Sequence, residues 1–215
     1  MGRDELRIDK AVDTGMVDGV MSLNGQLVRA DGKIIHAKAM RAEDARAAAR
    51  VCQEQGVTTI FENVSALHVN AVTPRALEGA ALINMRFPEP SDIMAATDEP
   101  VLQLIFFGDT EQESELLKHM PSCDATRWTH LLCDVIPRGG GKHVGIQKML
   151  DYYGIGRDEC MAFGDGENDI SMLQYVGTGI AMGNASLEVK AAADYVTTGI
   201  DSGGLVKALN KFGLL

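Results

Sequence analysis

Gly164-Asp165-Gly166-Glu167-Asn168-Asp169-Ile170 decides the fold of this chain. Just before it stands Glu159-Cys160-Met161-Ala162-Phe163, a short apolar run bounded by polar residues. Such a run reads as a buried strand of a parallel sheet. The glycines predict a sharp turn, and the residues from Ile170 on read as helix. The carboxylates of Asp165, Glu167 and Asp169 and the amide of Asn168 are thereby crowded at the carboxyl end of a strand. Open α/β sheets bind their ligands at that edge. Two carboxylates roughly 4 Å apart repel by about 4 kcal/mol at an effective dielectric near 20. A fold keeps such a cluster most easily with a cation in it, and an all-oxygen donor set favours Mg²⁺ or a similar hard ion.

Other readings of these glycines and acids compete. The plainest is an acidic loop before a helix, with Asp or Asn as its N-cap. An EF-hand fits poorly, because Ile170 stands where that loop needs glycine. A Walker loop fails twice: Ile136 occupies the position of its first glycine, and Lys142 is followed by His143 rather than Ser or Thr. The run Gly177 to Gly183 misses the dinucleotide spacing by one residue and lacks the acidic partner for a ribose. For Lys142 alone, a solvated first-turn lysine is the competing reading.

Order along the chain narrows the choice. Lys142 follows Arg138-Gly139-Gly140-Gly141 and opens an amphipathic helix, Val144 to Tyr152. After the acidic loop come Gly179, Ala181-Met182, Asn184-Ala185 and Ala193-Asp194-Tyr195-Val196-Thr197. With Gly164-Asp165, Asn168-Asp169 and Met172-Leu173, this succession resembles the C-terminal half of the haloacid dehalogenase-like phosphatases, specifically their Cof-type branch. The resemblance is close from Ile136 to Leu209 and weaker from Asp18 to Val28.

The resemblance implies an α/β fold, with a Rossmann-like doubly wound parallel core and an inserted α+β cap domain. Residues 1–28 and 137–215 would form the core, looking like parts of one sheet, and residues 29–136 the cap. Asn24-Gly25 and Pro137 with Gly139-Gly140-Gly141 would be the hinges between them, since glycine absorbs large backbone changes at little cost. The activity implied is Mg²⁺-dependent phosphoryl transfer through an aspartyl-phosphate, acting on a small phosphorylated metabolite such as a sugar phosphate. Lys142 matches the lysine that balances charge on the phosphate. Asp165 matches the metal carboxylate, and Asp169 a second carboxylate bonded to metal water or to the lysine. Asn168 and Asn24 fall among the substrate-binding positions.

One departure is large. The family's nucleophile lies in an Asp-x-Asp motif after a hydrophobic strand, and these 215 residues contain no Asp-x-Asp. Asp9, Asp13 and Asp18 are the nearest acids, and none follows a buried strand. Met1-Gly2-Arg3 stands where the next family motif has Thr-Gly-Arg. The expectation is therefore a truncated, inactive chain, short of the usual core by on the order of 40 residues, the length of a crossover and its loops. Missing a central strand, it would be marginally stable, dimerise or swap a strand to fill the gap.

Composition agrees with an α/β enzyme. At 215 residues the chain can form one large domain or two small ones. A net charge of −10 argues against a nucleic-acid backbone or an anionic membrane as partner. No run approaches 18 apolar residues, so no transmembrane helix is expected. Met1 to Glu5 carries no apolar signal core, which reads as cytoplasmic. Cys52, Cys123, Cys133 and Cys160 lack metal or bridge spacing and read as free, mostly buried thiols.

The remaining elements read as follows. Helices are expected over Glu5–Val12, Arg41–Gln55, Pro74–Met85 and Glu111–Met120, with a loop over Arg86–Glu99. Strands are expected over Val17–Leu23, Gln26–Val28, Lys33–His36, Val57–Phe61, Ala66–Val72, Val101–Phe107, Ala125–Trp128 and Leu131–Ile136. Asp31-Gly32 marks a hairpin turn. Trp128, Phe106 and Phe107 read as packing inside residues 29–136, and His68 and His130 as surface or satisfied core histidines. Besides a phosphatase, the residues admit a non-catalytic binder of phosphorylated ligands or a protein that donates a strand to another.

Overall fold

The computed structural model describes residues 15, 17–82, 84–127 and 129–215. The expected helix over Glu5–Val12, the acids Asp9 and Asp13, and Trp128 lie outside the described residues. The chain divides into two compact units, residues 1–140 and 141–215.

In the first unit, β1 (Gly19–Ser22) pairs antiparallel with β2 (Leu27–Ala30), which pairs with β3 (Lys33–Ala37). Asp31 and Gly32 join β2 to β3 with φ of 49° and 70°. Positive φ at both central residues gives the hairpin turn whose twist suits the flanking strands. β1 hydrogen-bonds to no other strand among the described residues. The pairing joins residues only five to eleven apart across the Leu23–Gly25 turn.

A larger sheet follows. It contains β4 (Thr59–Asn63), β5 (Leu67–Val69), β6 (Val101–Phe106), β7 (Cys123–Arg127) and β8 (Cys133–Pro137), in the order β5-β4-β6-β8-β7, with all neighbours antiparallel. Helices α1 (Ala42–Gln55), α2 (Pro74–Leu82) and α3 (Thr110–Lys118) accompany it. Ala45, Ala48, Ala49 and Cys52 bury one small-residue stripe of α1 at helical spacing. They pack with Phe61, Leu104, Phe106, Leu116 and Met120. Strand alternation sends Ile60 to a second cluster with Val69, Ala76, Phe107 and Leu132. The consecutive Phe106 and Phe107 therefore fill different clusters. Asp109 caps α3, its carboxylate accepting from Glu111 N and Gln112 N at 3.0 and 2.9 Å. Asp44, 2 % exposed, ties α1 to the start of β7 by accepting from Ser122 N at 3.2 Å and from the Ser122 hydroxyl.

The second unit contains α4 (Lys142–Tyr153), β9 (Met161–Gly164), α5 (Ile170–Tyr175), β10 (Thr178–Ala181), α6 (Leu187–Ala191), β11 (Tyr195–Val196) and α7 (Gly204–Lys211). Its strands form a parallel sheet in the order β11-β10-β9, as the apolar run before Gly164 predicted. Ala162, Leu173, Val176, Ala181 and Val189 make its core. No helix among the described residues is long and apolar enough to cross a membrane.

All four cysteines are free thiols. Burial pushes Cys52 and Cys123 from an ordinary 9.0 up to about 12, and raises Cys133 and the less buried Cys160 as well. A raised thiol keeps its proton in the folded chain where the unfolded chain has lost it. Stability is then fully present below pH 9 and is lost as pH rises toward 12. Iodoacetamide at pH 8 is expected to label Cys160 first and to leave Cys52 unmodified until denaturant is added. Mass mapping that finds native labelling of Cys52 would contradict this.

Candidate active site

The acidic loop is built by close packing at the end of β9. A Cβ on Gly164 would lie 2.6 Å from the Asp169 Cβ, so only glycine lets Asp169 fold back over the strand end. A single 3₁₀ turn, Glu167–Asp169, makes that reversal, with Asp169 N donating to Gly166 O at 2.9 Å.

The Asp169 carboxylate, 7 % exposed as a residue, is spent on both oxygens. Oδ2 accepts from the backbone N–H groups of Asp165 and Gly166 at 3.0 and 3.1 Å. Oδ1 accepts from Lys142 Nζ at 2.5 Å. The ion pair is shielded, with side chains 24 % and 9 % exposed. Lys142 is the first residue of α4. Before it, Gly141 has φ of 132° and ψ of 166°, a conformation that a residue with a side chain rarely adopts. Residues 27 apart in sequence are thereby joined.

Asp165 is exposed at the same strand end. Its Oδ2 accepts from Asn184 Nδ2 at 2.8 Å. Asn168 is half-buried on the 3₁₀ turn, and a Cβ on Gly166 would meet its Oδ1 at 2.7 Å. Lys142, Asp165, Asn168 and Asp169 thus share one loop system.

Asn24 belongs to the other unit. It sits in the 3₁₀ turn Leu23–Gly25 with φ of 50°, beside Leu23 at 53°. Its Nδ2 donates to Gln103 Oε1 and Asp134 Oδ2, both at 2.8 Å. Gln103 Nε2 in turn donates to Glu62 Oε2 at 2.8 Å. Both amide hydrogens of Asn24 are therefore engaged by β6 and β8.

A hard cation is the group this chemistry implies. No group of three or more His, Cys, Asp or Glu side chains is placed to hold a metal among the described residues. Asp169 commits both oxygens to Lys142 and two backbone amides, which leaves the exposed carboxylates of Asp165 and Glu167 on the loop. Mg²⁺ keeps several waters and is commonly held by one or two carboxylates plus substrate phosphate. Asp165, whose backbone N–H is held by Asp169, would supply one carboxylate of such a site.

Asn184 was quoted in the sequence with its neighbour Ala185 but received no role. Its signal was the Asn184-Ala185 pair itself, following the strand parallel to β9.

The sequence profile of the haloacid dehalogenase-like hydrolases matches residues 2–209. YkrA of Bacillus subtilis strain 168, whose name assigns it provisionally to the phosphatases, is 32 % identical over 215 residues, covering 100 % of this chain and 83 % of its own length. Among solved structures, the HAD subclass IIB sugar phosphatase BT4131 superposes with a TM-score of 0.87 at 33 % identity, over 97 % of this chain and 80 % of that one. The phosphatase BT1666 from Bacteroides thetaiotaomicron gives 0.84 at 36 % identity, over 95 % and 77 %. The chain belongs to the haloacid dehalogenase-like hydrolases, in their Cof-type branch, and by family is a phosphohydrolase.

Proposed function

We propose that the loop serves Mg²⁺-dependent hydrolysis of small phosphorylated metabolites such as sugar phosphates. The observation that carries this reading is the Lys142–Asp169 ion pair, which fixes one cation at the loop that also carries the exposed Asp165. The sugar phosphatase activity named for BT4131 supports the substrate class. In this reading residues 29–136 act as the cap, and 1–28 with 137–215 belong to the core. The protein acts in the cytoplasm.

Lys142 binds a phosphoryl oxygen and balances its charge. Asp169 does not react; it holds the Lys142 ammonium and locks the Asp165 and Gly166 amides. Asn168 donates its amide to the phosphate. Asp165 would hold Mg²⁺, which when bound supplies charge neutralisation on the phosphoryl group. These 215 residues contain no Asp-x-Asp, and the residues named here bind and orient the phosphoryl group.

Calorimetry tests the assignment. Mg²⁺ is expected to bind the wild-type chain and to bind Asp165→Asn no longer. Lys142→Met should keep Mg²⁺ binding within about twofold but weaken inorganic phosphate about tenfold, the worth of one charge-assisted hydrogen bond. Unchanged Mg²⁺ binding by Asp165→Asn would overturn the reading.

A further inference from the structure

We propose that His143 is a positioning residue for phosphoryl binding, tying the first turn of α4 to the first turn of α5 so that Lys142 meets the anion in one place. The inference rests on the reading of Lys142 as the phosphoryl-binding cation. α4 begins on Gly141 without a side-chain cap, and a glycine at φ of 132° does little to hold the turn that follows it. The ion pair with Asp169 fixes only the far end of the Lys142 side chain. His143, the next residue, supplies a second tie between the same two segments. Its Nδ1 lies 3.3 Å from the hydroxyl oxygen of Ser171, two residues beyond Asp169. The ring folds back over Gly141, where a Cβ would stand 3.0 Å from both its Cε1 and its Nδ1. Tyr175, one turn after Ser171 on the same face of α5, brings its ring centroid to 6.2 Å from that of His143. The Arg157 guanidinium lies over the Tyr175 ring, 4.7 Å from its centroid, and is fixed there by donating to Gln174 O at 3.1 Å.

Lysine carries its charge on a flexible four-carbon stem, so the ammonium can reach Asp169 from more than one placement of its own backbone. Groups that bind a ligand must stay within about 0.5 Å of their productive geometry, and the side chains packed behind them keep them there. Ser171 stands on the helix that the acidic loop opens. A bond to it therefore sets the start of α4 relative to the loop itself. A serine hydroxyl can donate to or accept from an imidazole nitrogen. The tie needs a polar atom at the Nδ1 position rather than an imidazole as such. Asparagine, whose carboxamide atoms also branch from Cγ, can supply that atom, and alanine cannot.

The experiment is calorimetric titration of inorganic phosphate into wild type, His143→Ala, His143→Asn, Ser171→Ala, the double variant His143→Ala/Ser171→Ala, and Lys142→Met with and without His143→Ala, with urea unfolding of each. His143→Ala and Ser171→Ala are each expected to weaken phosphate about fivefold, the worth of one neutral hydrogen bond. The double variant should lose no more than either alone, because both remove the same contact. His143→Asn should stay close to wild type, and His143→Ala should change nothing in the Lys142→Met background. His143 is half-buried and Ser171 exposed, so the urea midpoints of these variants should match wild type. Unchanged phosphate affinity in His143→Ala, or a loss that His143→Asn fails to restore or that follows a lowered urea midpoint, would overturn the inference while leaving Lys142 as the phosphoryl ligand. Phosphate binding that is absent from wild type, or indifferent to Lys142→Met, overturns the reading of Lys142 and this inference with it.

Discussion

Replacing Asp169 by alanine is expected to destabilise the chain by about 3 kcal/mol, the usual cost of removing one partner from a shielded ion pair. The carboxylate has four simultaneous duties: it pairs with Lys142, caps the N–H groups of Asp165 and Gly166, and fills the space over Gly164. Alanine strands an ammonium that is only 24 % exposed and leaves both amides seeking water. Lys142→Met should cost less, about 1–2 kcal/mol, because Asp169 keeps its backbone donors. The double variant should lose less than the sum of the two by roughly 0.5–3 kcal/mol, since the pair is in direct contact. Urea unfolding of the four chains measures this cycle. A loss under about 1 kcal/mol for Asp169→Ala would show that the pair behaves as a solvent-screened surface contact.

The parts of the site that were legible in the sequence are those that local chemistry dictates. The run Glu159–Phe163 reads as a buried strand, and β9 covers Met161–Gly164, with Ala162 and Gly164 buried and Met161 and Phe163 half-buried. Gly164 and Gly166 bracket Asp165 because side chains at those positions would collide with Asp169 and Asn168. Asp31-Gly32 gave the hairpin for an equally local reason. What was not legible is pairing at long range. Asn24 reads as a substrate residue by its place in the family pattern, yet its amide hydrogens go to Gln103 and Asp134, 79 and 110 residues away. No periodicity encodes which strand will lie beside a turn. The order β5-β4-β6-β8-β7 escaped for the same reason, because antiparallel strands of similar composition can be sorted in several ways. Asn184 escaped because an exposed amide in a turn carries no hydrophobic signature; only its direction, set by the backbone around Met182 and Gly183, makes it part of the site.

The 215-residue chain is expected to hydrolyse p-nitrophenyl phosphate with Mg²⁺ no faster than buffer. Phosphoryl transfer to a protein carboxylate needs an acid that is free to attack. Asp169 cannot serve, since both of its oxygens are committed and it is buried. Asp165 is exposed, but as the metal carboxylate it would carry its charge toward the ion rather than toward phosphorus. The decisive contrary result is robust turnover by the 215 residues alone that Asp165→Asn abolishes. It would place a working nucleophile within this sequence, and Asp18, the nearest described acid ahead of β1, would be the first residue to replace.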